Sequence, residues 1–113
     1  MVARQMSLLQ GTLDALVLKS VEQEARHGYG VAAWIRRTTD GTIAVEDGAL
    51  YTALHRLEKR GWLASSWGVS ENNRRAKYYG LTDRGRAELA KASTDWARYA
   101  TAVFKVLGSE GGG

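Results

Sequence analysis

Cysteine and proline are both absent from these 113 residues. Without cysteine there is no disulfide, no thiolate nucleophile and no thiolate metal ligand, and the redox compartment stays open. Without proline, glycine is the main punctuation of the chain. Histidine is scarce: only His27, beside a helix-ending glycine, and His55 are present. Neither has a motif partner, and two histidines without cysteine make a poor zinc site. The convergent acids, bases and nucleophiles of an enzyme are missing, so no catalysis, cofactor or metal is expected. Gly28-Tyr29-Gly30 is too short for a dinucleotide loop, which would also follow a strand rather than a helix. The longest apolar run, Ala15-Leu16-Val17-Leu18, is far too short to span a bilayer, and the polar start does not resemble a signal peptide. A soluble, cytoplasmic protein without a membrane partner is the expectation.

What is present is material for one core. Hydrophobic residues make up 44%, including four Trp and five Tyr, and the length suits a single domain. No internal repeat or long linker interrupts it. Sixteen Lys and Arg against twelve Asp and Glu leave a charge of +4. That modest excess suits an acidic partner such as nucleic acid without requiring one.

Apolar residues recur at helical spacing over 7–24: Leu9, Leu13, Leu16, Val17 and Val21. A second helix is expected over 29–38, and 42–45 reads as a short strand after the turn signal Asp40-Gly41. The third helix carries the most information. Glu46 or Asp47 can cap it, 48–60 forms its body, and Gly61 suits the left-handed residue that ends it. Leu50, Leu54 and Leu57 share one stripe and face the core. The opposite face holds Gly48, Thr52, His55, Arg56 and Lys59, which are donors and cations with no large apolar group. A helix that lies in a major groove needs such a face, although a solvated helix has a similar one.

The segments 62–67 and 76–81 read as strands, joined by a polar loop whose tip holds Asn72, Asn73, Arg74 and Arg75. A hairpin with amides and cations at its tip, directly after a candidate recognition helix, is a wing, suited to a minor groove and its flanking phosphates. Trp34, Trp62 and Trp67 are expected in core or sheet packing. Thr82 can cap a last helix running to about Leu107. Its apolar residues follow a heptad: Leu89, Trp96 and Val103, with Ala92, Tyr99 and Val106 three positions on, widened by Ala100, Phe104 and Leu107. So much apolar surface on one long helix calls for a partner chain, and a two-fold dimer is the commonest solution. With Leu9 of the first helix, Leu89, Ala92, Trp96, Tyr99, Val103 and Val106 form the expected dimer face. Leu13, Val17, Trp96, Tyr99, Ala100 and Val103 could line an apolar slot for a small aromatic effector. The fold class is mainly α with a small β-hairpin: a winged helix-turn-helix over 7–81, a dimerisation helix over 82–108 and a disordered tail over 109–113.

Five runs then share one order: Gly11-Thr12-Leu13-Asp14, His27-Gly28-Tyr29-Gly30, Gly48-Ala49-Leu50-Tyr51 with His55-Arg56-Leu57-Glu58, Ser70 through Tyr79, and Leu81-Thr82-Asp83-Arg84-Gly85. In this order they resemble the PadR-like transcriptional regulators. The resemblance implies a winged-helix repressor that binds double-stranded DNA as a homodimer through its last helix. By position it makes Tyr29 and Tyr51 phosphate or scaffold contacts, and gives Lys77 and Tyr78 to the wing. The single C-terminal helix matches the short subgroup, some members of which bind flat aromatic drugs between paired Trp side chains. Trp96 sits where that Trp would be, whereas Ala100, one turn on, is not acidic, which counts against cationic drugs. The competing reading is a winged helix used for protein docking or RNA binding.

Overall fold

The computed structural model describes the backbone of residues 2–108 and the side chains of 11–108. Leu9, expected on the dimer face, lies outside the described side chains, and the tail 109–113 lies outside the described residues. In chain order the elements are α1 (Val2–Ser20), β1 (Arg26–His27), α2 (Gly28–Thr38), α3 (Asp47–Lys59), β2 (Leu63–Val69), β3 (Arg75–Leu81) and α4 (Asp83–Leu107). The strands form one antiparallel sheet in the order β1-β3-β2. This is a winged helix: α2 and α3 are the helix-turn-helix, β2 and β3 the wing.

Two local expectations need correction. The first helix ends at Ser20 rather than near Glu24. Arg26 Nε donates to the Ser20 carbonyl at 2.7 Å, so that acceptor is no longer open to a further helical turn. The third strand is not 42–45. There the Ile43 N–H is taken by the Thr39 hydroxyl at 3.0 Å, and Asp40 and Gly41 have φ of +52° and +82°, which turn the chain away from any ladder. Arg26 and His27 supply the strand instead, opposite Tyr79 and Tyr78.

The stripe read from the third helix is the centre of the core. Leu50, Ala53, Leu54 and Leu57 are fully buried against Val17, Leu18 and Val21 of α1, Val31 and Ile35 of α2, Leu63, Tyr79 and Leu89. Each large aliphatic side chain there is worth about 2–5 kcal/mol against truncation to Ala, so the orientation of α3 is firmly set. Val17 therefore belongs to the protomer's own core and does not face an effector slot, and Leu89, at 4% exposure, is buried without a second chain.

Arg56 departs from the expected exposed set. Its guanidinium Nη2 donates to the Asp14 carboxylate of α1, a residue only 6% exposed, while its Nε is buried with no partner among the described residues. Arg56 thus ties α3 to α1. Removing one member of such a pair strands the other's charge away from water. Asp14→Ala should lower the unfolding free energy by about 2–3 kcal/mol, less than for a fully dry pair because Arg56 keeps some solvent. Urea unfolding at fixed protein concentration measures it. A loss under about 0.5 kcal/mol would make the pair an ordinary surface contact and return Arg56 to the outward face.

Candidate nucleic-acid interface

With Leu50, Leu54 and Leu57 inward, α3 presents Tyr51, Thr52, His55 and Lys59 to solvent. Tyr51 is half exposed, and its ring end rests on the first turn of α2. A Cβ at Gly28 would lie 2.7 Å from the Tyr51 hydroxyl, so Gly28 is needed there for close approach. Tyr29 follows at the same helix start and is 78% exposed. The imidazole of His27 caps that helix, its Nδ1 accepting from the Gly30 N–H at 3.0 Å.

The hairpin rises beside these residues. Its turn closes through Ser70 N–H to the Arg74 carbonyl and Asn73 N–H to the Ser70 carbonyl, both 2.8 Å. Asn73 has φ of +59°, a conformation that asparagine tolerates better than most residues, so it shapes the turn as well as standing at its tip. Asn72, Arg74 and Arg75 stand exposed beside it. Tyr78 is scaffold within the hairpin: its hydroxyl donates to the Val69 carbonyl at 3.2 Å and its ring packs over Gly68. Lys77 lies 3.2 Å from Glu58 of α3, whose carboxyl also accepts from the Ser65 hydroxyl. The Ser65 hydrogen bond, aided by Lys77, holds the Glu58 carboxyl below its usual range, so α3 and the wing are joined through a charged acceptor.

Between α2, α3 and the inner face of the hairpin lies an open cleft of about 540 Å³, bordered by Tyr29, Tyr51, Trp67, Arg74, Arg75 and Lys77. Trp67 was expected in sheet packing. It is 60% exposed, with the Arg75 guanidinium 4.5 Å from its ring centre. Arg74 and Lys59 have no acidic partner among the described residues. One cleft thus brings together Tyr29, Tyr51, Asn72, Arg74, Arg75 and Lys77, while Thr52, His55 and Lys59 stand exposed on α3 and Asn73 at the turn; α1 holds Arg56 back, and Tyr78 supports the hairpin.

On α4 the apolar stripe emerges from the protomer after Leu89. Ala92, Ala100 and Val103 are half-buried, Trp96 and Tyr99 are exposed, and Val106, Phe104 and Leu107 face solvent. Trp96 and Tyr99 meet edge to face at 6.0 Å, and Trp96 Nε1 donates to the Thr12 hydroxyl of α1 at 2.7 Å. Leu13 lies half-buried beside the core. Among the described residues there is no cluster of three metal-ligating side chains and no helix long and apolar enough to cross a membrane.

Known proteins share this arrangement. A protein of Lysinibacillus sphaericus is 28% identical over 90 residues, spanning 80% of this chain and 83% of its own length. A solved transcriptional regulator from Clostridium thermocellum superposes with a TM-score of 0.77 at 27% identity, covering 88% of this chain and 96% of its own. A PadR family transcriptional regulator from Eggerthella lenta is 31% identical, with a TM-score of 0.71 over 96% of this chain and 94% of its own. The transcriptional regulator PadR-like family matches residues 17–91. That match runs from the end of α1 through the whole helix-turn-helix and wing into α4, and the chain belongs to the PadR-like family of transcriptional regulators.

Proposed function

We propose that this regulator is a repressor that binds a palindromic duplex DNA site as a homodimer, with the winged helix of 7–81 as reading head and 82–108 as dimerisation helix. One observation carries the reading. Thr52, His55 and Lys59 project from a helix whose other face is locked in the core, and Tyr51 of that helix borders one cleft with Arg74, Arg75 and Lys77 of the wing. A helix of that composition fits a major groove, while Arg74 and Arg75 at the wing fit phosphates and a minor groove. Tyr29 and Tyr51 offer hydroxyls to phosphates where α2 begins. Trp67, at the mouth of the same cleft, offers its ring to the sugar-phosphate edge. Arg56 is left out of the reading set.

The separation of reading from positioning is testable. The full-length protein is first used to select its preferred duplex from a random library, and alanine variants are then titrated on that duplex and on random DNA across a salt series. Thr52→Ala and His55→Ala should each cost about 1–3 kcal/mol on the selected site where they meet a base, and little on random DNA. Arg74→Ala and Arg75→Ala should weaken both duplexes alike and reduce the salt slope by about one counterion per contact in each subunit. Equal losses on both duplexes for Thr52 and His55 would remove α3 as the reading element. Failure to enrich any duplex would favour docking to protein or RNA instead.

Dimerisation is assigned to the part of α4 beyond Leu89: Ala92, Trp96, Tyr99, Val103 and Val106, continued by Phe104 and Leu107. Leu89 lies within the protomer, so deleting the whole helix would damage the fold as well as the interface. Val106 is 85% exposed in the protomer, and a charge there has no intramolecular cost. Val106→Glu should therefore shift sedimentation from dimer to monomer at micromolar concentration while leaving the far-UV spectrum unchanged. An intact dimer in that variant would move the interface elsewhere.

A flat aromatic effector is the proposed means of relief. Trp96 and Tyr99 form an exposed aromatic pair, Ala100 and Val103 follow on the same helix, and Trp96 reaches α1 at Thr12, next to Leu13 in the chain. A ligand that binds there more tightly in a splayed dimer would lower DNA affinity by that difference in affinity. Planar aromatic compounds found by tryptophan quenching should lose most of their affinity in Trp96→Ala when binding is followed by calorimetry. Unchanged affinity would place the slot away from Trp96.

A further inference from the structure

The distal half of the wing has little core beneath it. Trp67, Val69, Arg74 and Arg75 are all exposed, and the backbone hydrogen bonds that close the turn 70–74 run within it. Yet one side chain of this turn reaches the body of the domain. Glu71 Oε1 lies 3.2 Å from Nε2 of His27, 44 residues earlier in the chain. The imidazole is well fixed to serve it. Its Nδ1 accepts from the Gly30 N–H, a group that can only donate, so the ring proton is on Nε2 and points to Glu71. The ring is also held edge-on against Tyr78 at 5.3 Å, and the His27 side chain keeps only 17% of its surface exposed.

We infer that His27 and Glu71 form a latch that sets the pose of the wing against the start of α2, which makes Glu71 a positioning residue for DNA binding. This rests on the proposed reading of the wing as a DNA contact. Glu71 itself does not suit phosphate. Its own backbone N–H and the His27 hydrogen bond keep the carboxyl below its usual range, so it carries negative charge on a cation-rich face. By charge alone it opposes DNA, and by its hydrogen bond it limits the orientations the hairpin must give up on binding. The two effects have opposite signs and can be separated.

Glu71→Gln and Glu71→Ala both remove the charge, but only glutamine keeps an acceptor for His27 Nε2–H. Both changes fall on an exposed turn, outside the core. Glu71→Gln should bind the selected duplex at least as tightly as wild type. Glu71→Ala should bind about three- to ten-fold more weakly than Glu71→Gln at the same salt concentration, with an unchanged salt slope. His27→Asn keeps a cap for Gly30 N–H but is too short to reach Glu71. It loses the latch but keeps the Glu71 charge, so it should bind no more tightly than Glu71→Ala, and adding it to Glu71→Ala should weaken binding no further. Hydrogen exchange in the DNA-free protein gives an independent readout: amides of residues 70–74 should exchange faster in Glu71→Ala and His27→Asn, and at the wild-type rate in Glu71→Gln. If Glu71→Ala and Glu71→Gln bind DNA equally and exchange alike, the latch is overturned. If wild type binds no duplex, the DNA reading fails, and the exchange contrast alone then supports or overturns the latch.

Discussion

The joint between α3 and α4 is the constraint on which the rest of the molecule depends. Gly61, with φ of +81°, ends α3, and the next carbonyl, that of Trp62, receives the Thr82 N–H at 3.1 Å. The Thr82 hydroxyl lies 2.7 Å from the Gly61 carbonyl while accepting the Gly85 N–H at 2.9 Å as the cap of α4. At Gly85 there is no space to spare: a Cβ would lie 2.0 Å from the Trp62 oxygen. The first turn of the long helix is thus pressed onto the exit of the third, backbone to backbone, and Leu89 seals the contact one turn later. Backbone contacts of this kind do not relax through side-chain rotation. In a dimer built on α4, they would fix the distance between two α3 helices that have to meet successive grooves about 34 Å apart.

Those joint residues were legible because their signals are local. A glycine after an apolar-periodic run and a threonine before one announce helix ends in the sequence itself. The apolar stripe of α3 is legible for the same reason. The end of α1 is set from a distance: the guanidinium of Arg26, six residues on, takes the carbonyl of Ser20. The third strand was misread in a related way. Thr42, Ile43 and Val45 have the β-branched composition of a strand, but the Thr39 hydroxyl satisfies the Ile43 N–H. Arg26 and His27 have no such composition, and two residues carry no periodicity to detect.

The candidate site divides along the same line. Thr52, His55 and Lys59 stand where the helical wheel puts them, because one buried stripe determines the opposite face. Arg56 sits at the edge of that face, and its outcome depends on a carboxylate 42 residues away on α1. Trp67 shows the limit of strand parity. It lies on the same face of β2 as the buried Leu63, and alternation alone therefore places it inward. The hairpin outruns the domain, however, so the face that is core at Leu63 and Tyr79 has opened to solvent at Trp67. Val17 and Leu89 err in the opposite direction. Leu89 was read as dimer face and Val17 as lining an effector slot, while the small core of one protomer already consumes both.

The same accounting changes the electrostatics of the proposed DNA complex. Five cations of α3 and the wing were candidates for contact with DNA, but two already serve carboxylates within the chain, Arg56 with Asp14 and Lys77 with Glu58. Lys59, Arg74 and Arg75 remain, and Glu71 sets a negative charge beside them. Counterion release counts only cations that meet phosphate, so in the proposed complex the sequence-independent part of binding would be weaker than the net charge of +4 or the run of basic residues implies. In that proposed complex, weaker background binding would leave more of the discrimination to Thr52 and His55, whose hydrogen bonds to base edges would be directional. It also raises the value of a rigid wing, since three cations per subunit gain most when their positions are set before the duplex arrives. The ion pairs that remove charge from the proposed DNA face also tie its frame together: Glu58 joins α3 to the hairpin, and Asp14 holds α3 to α1.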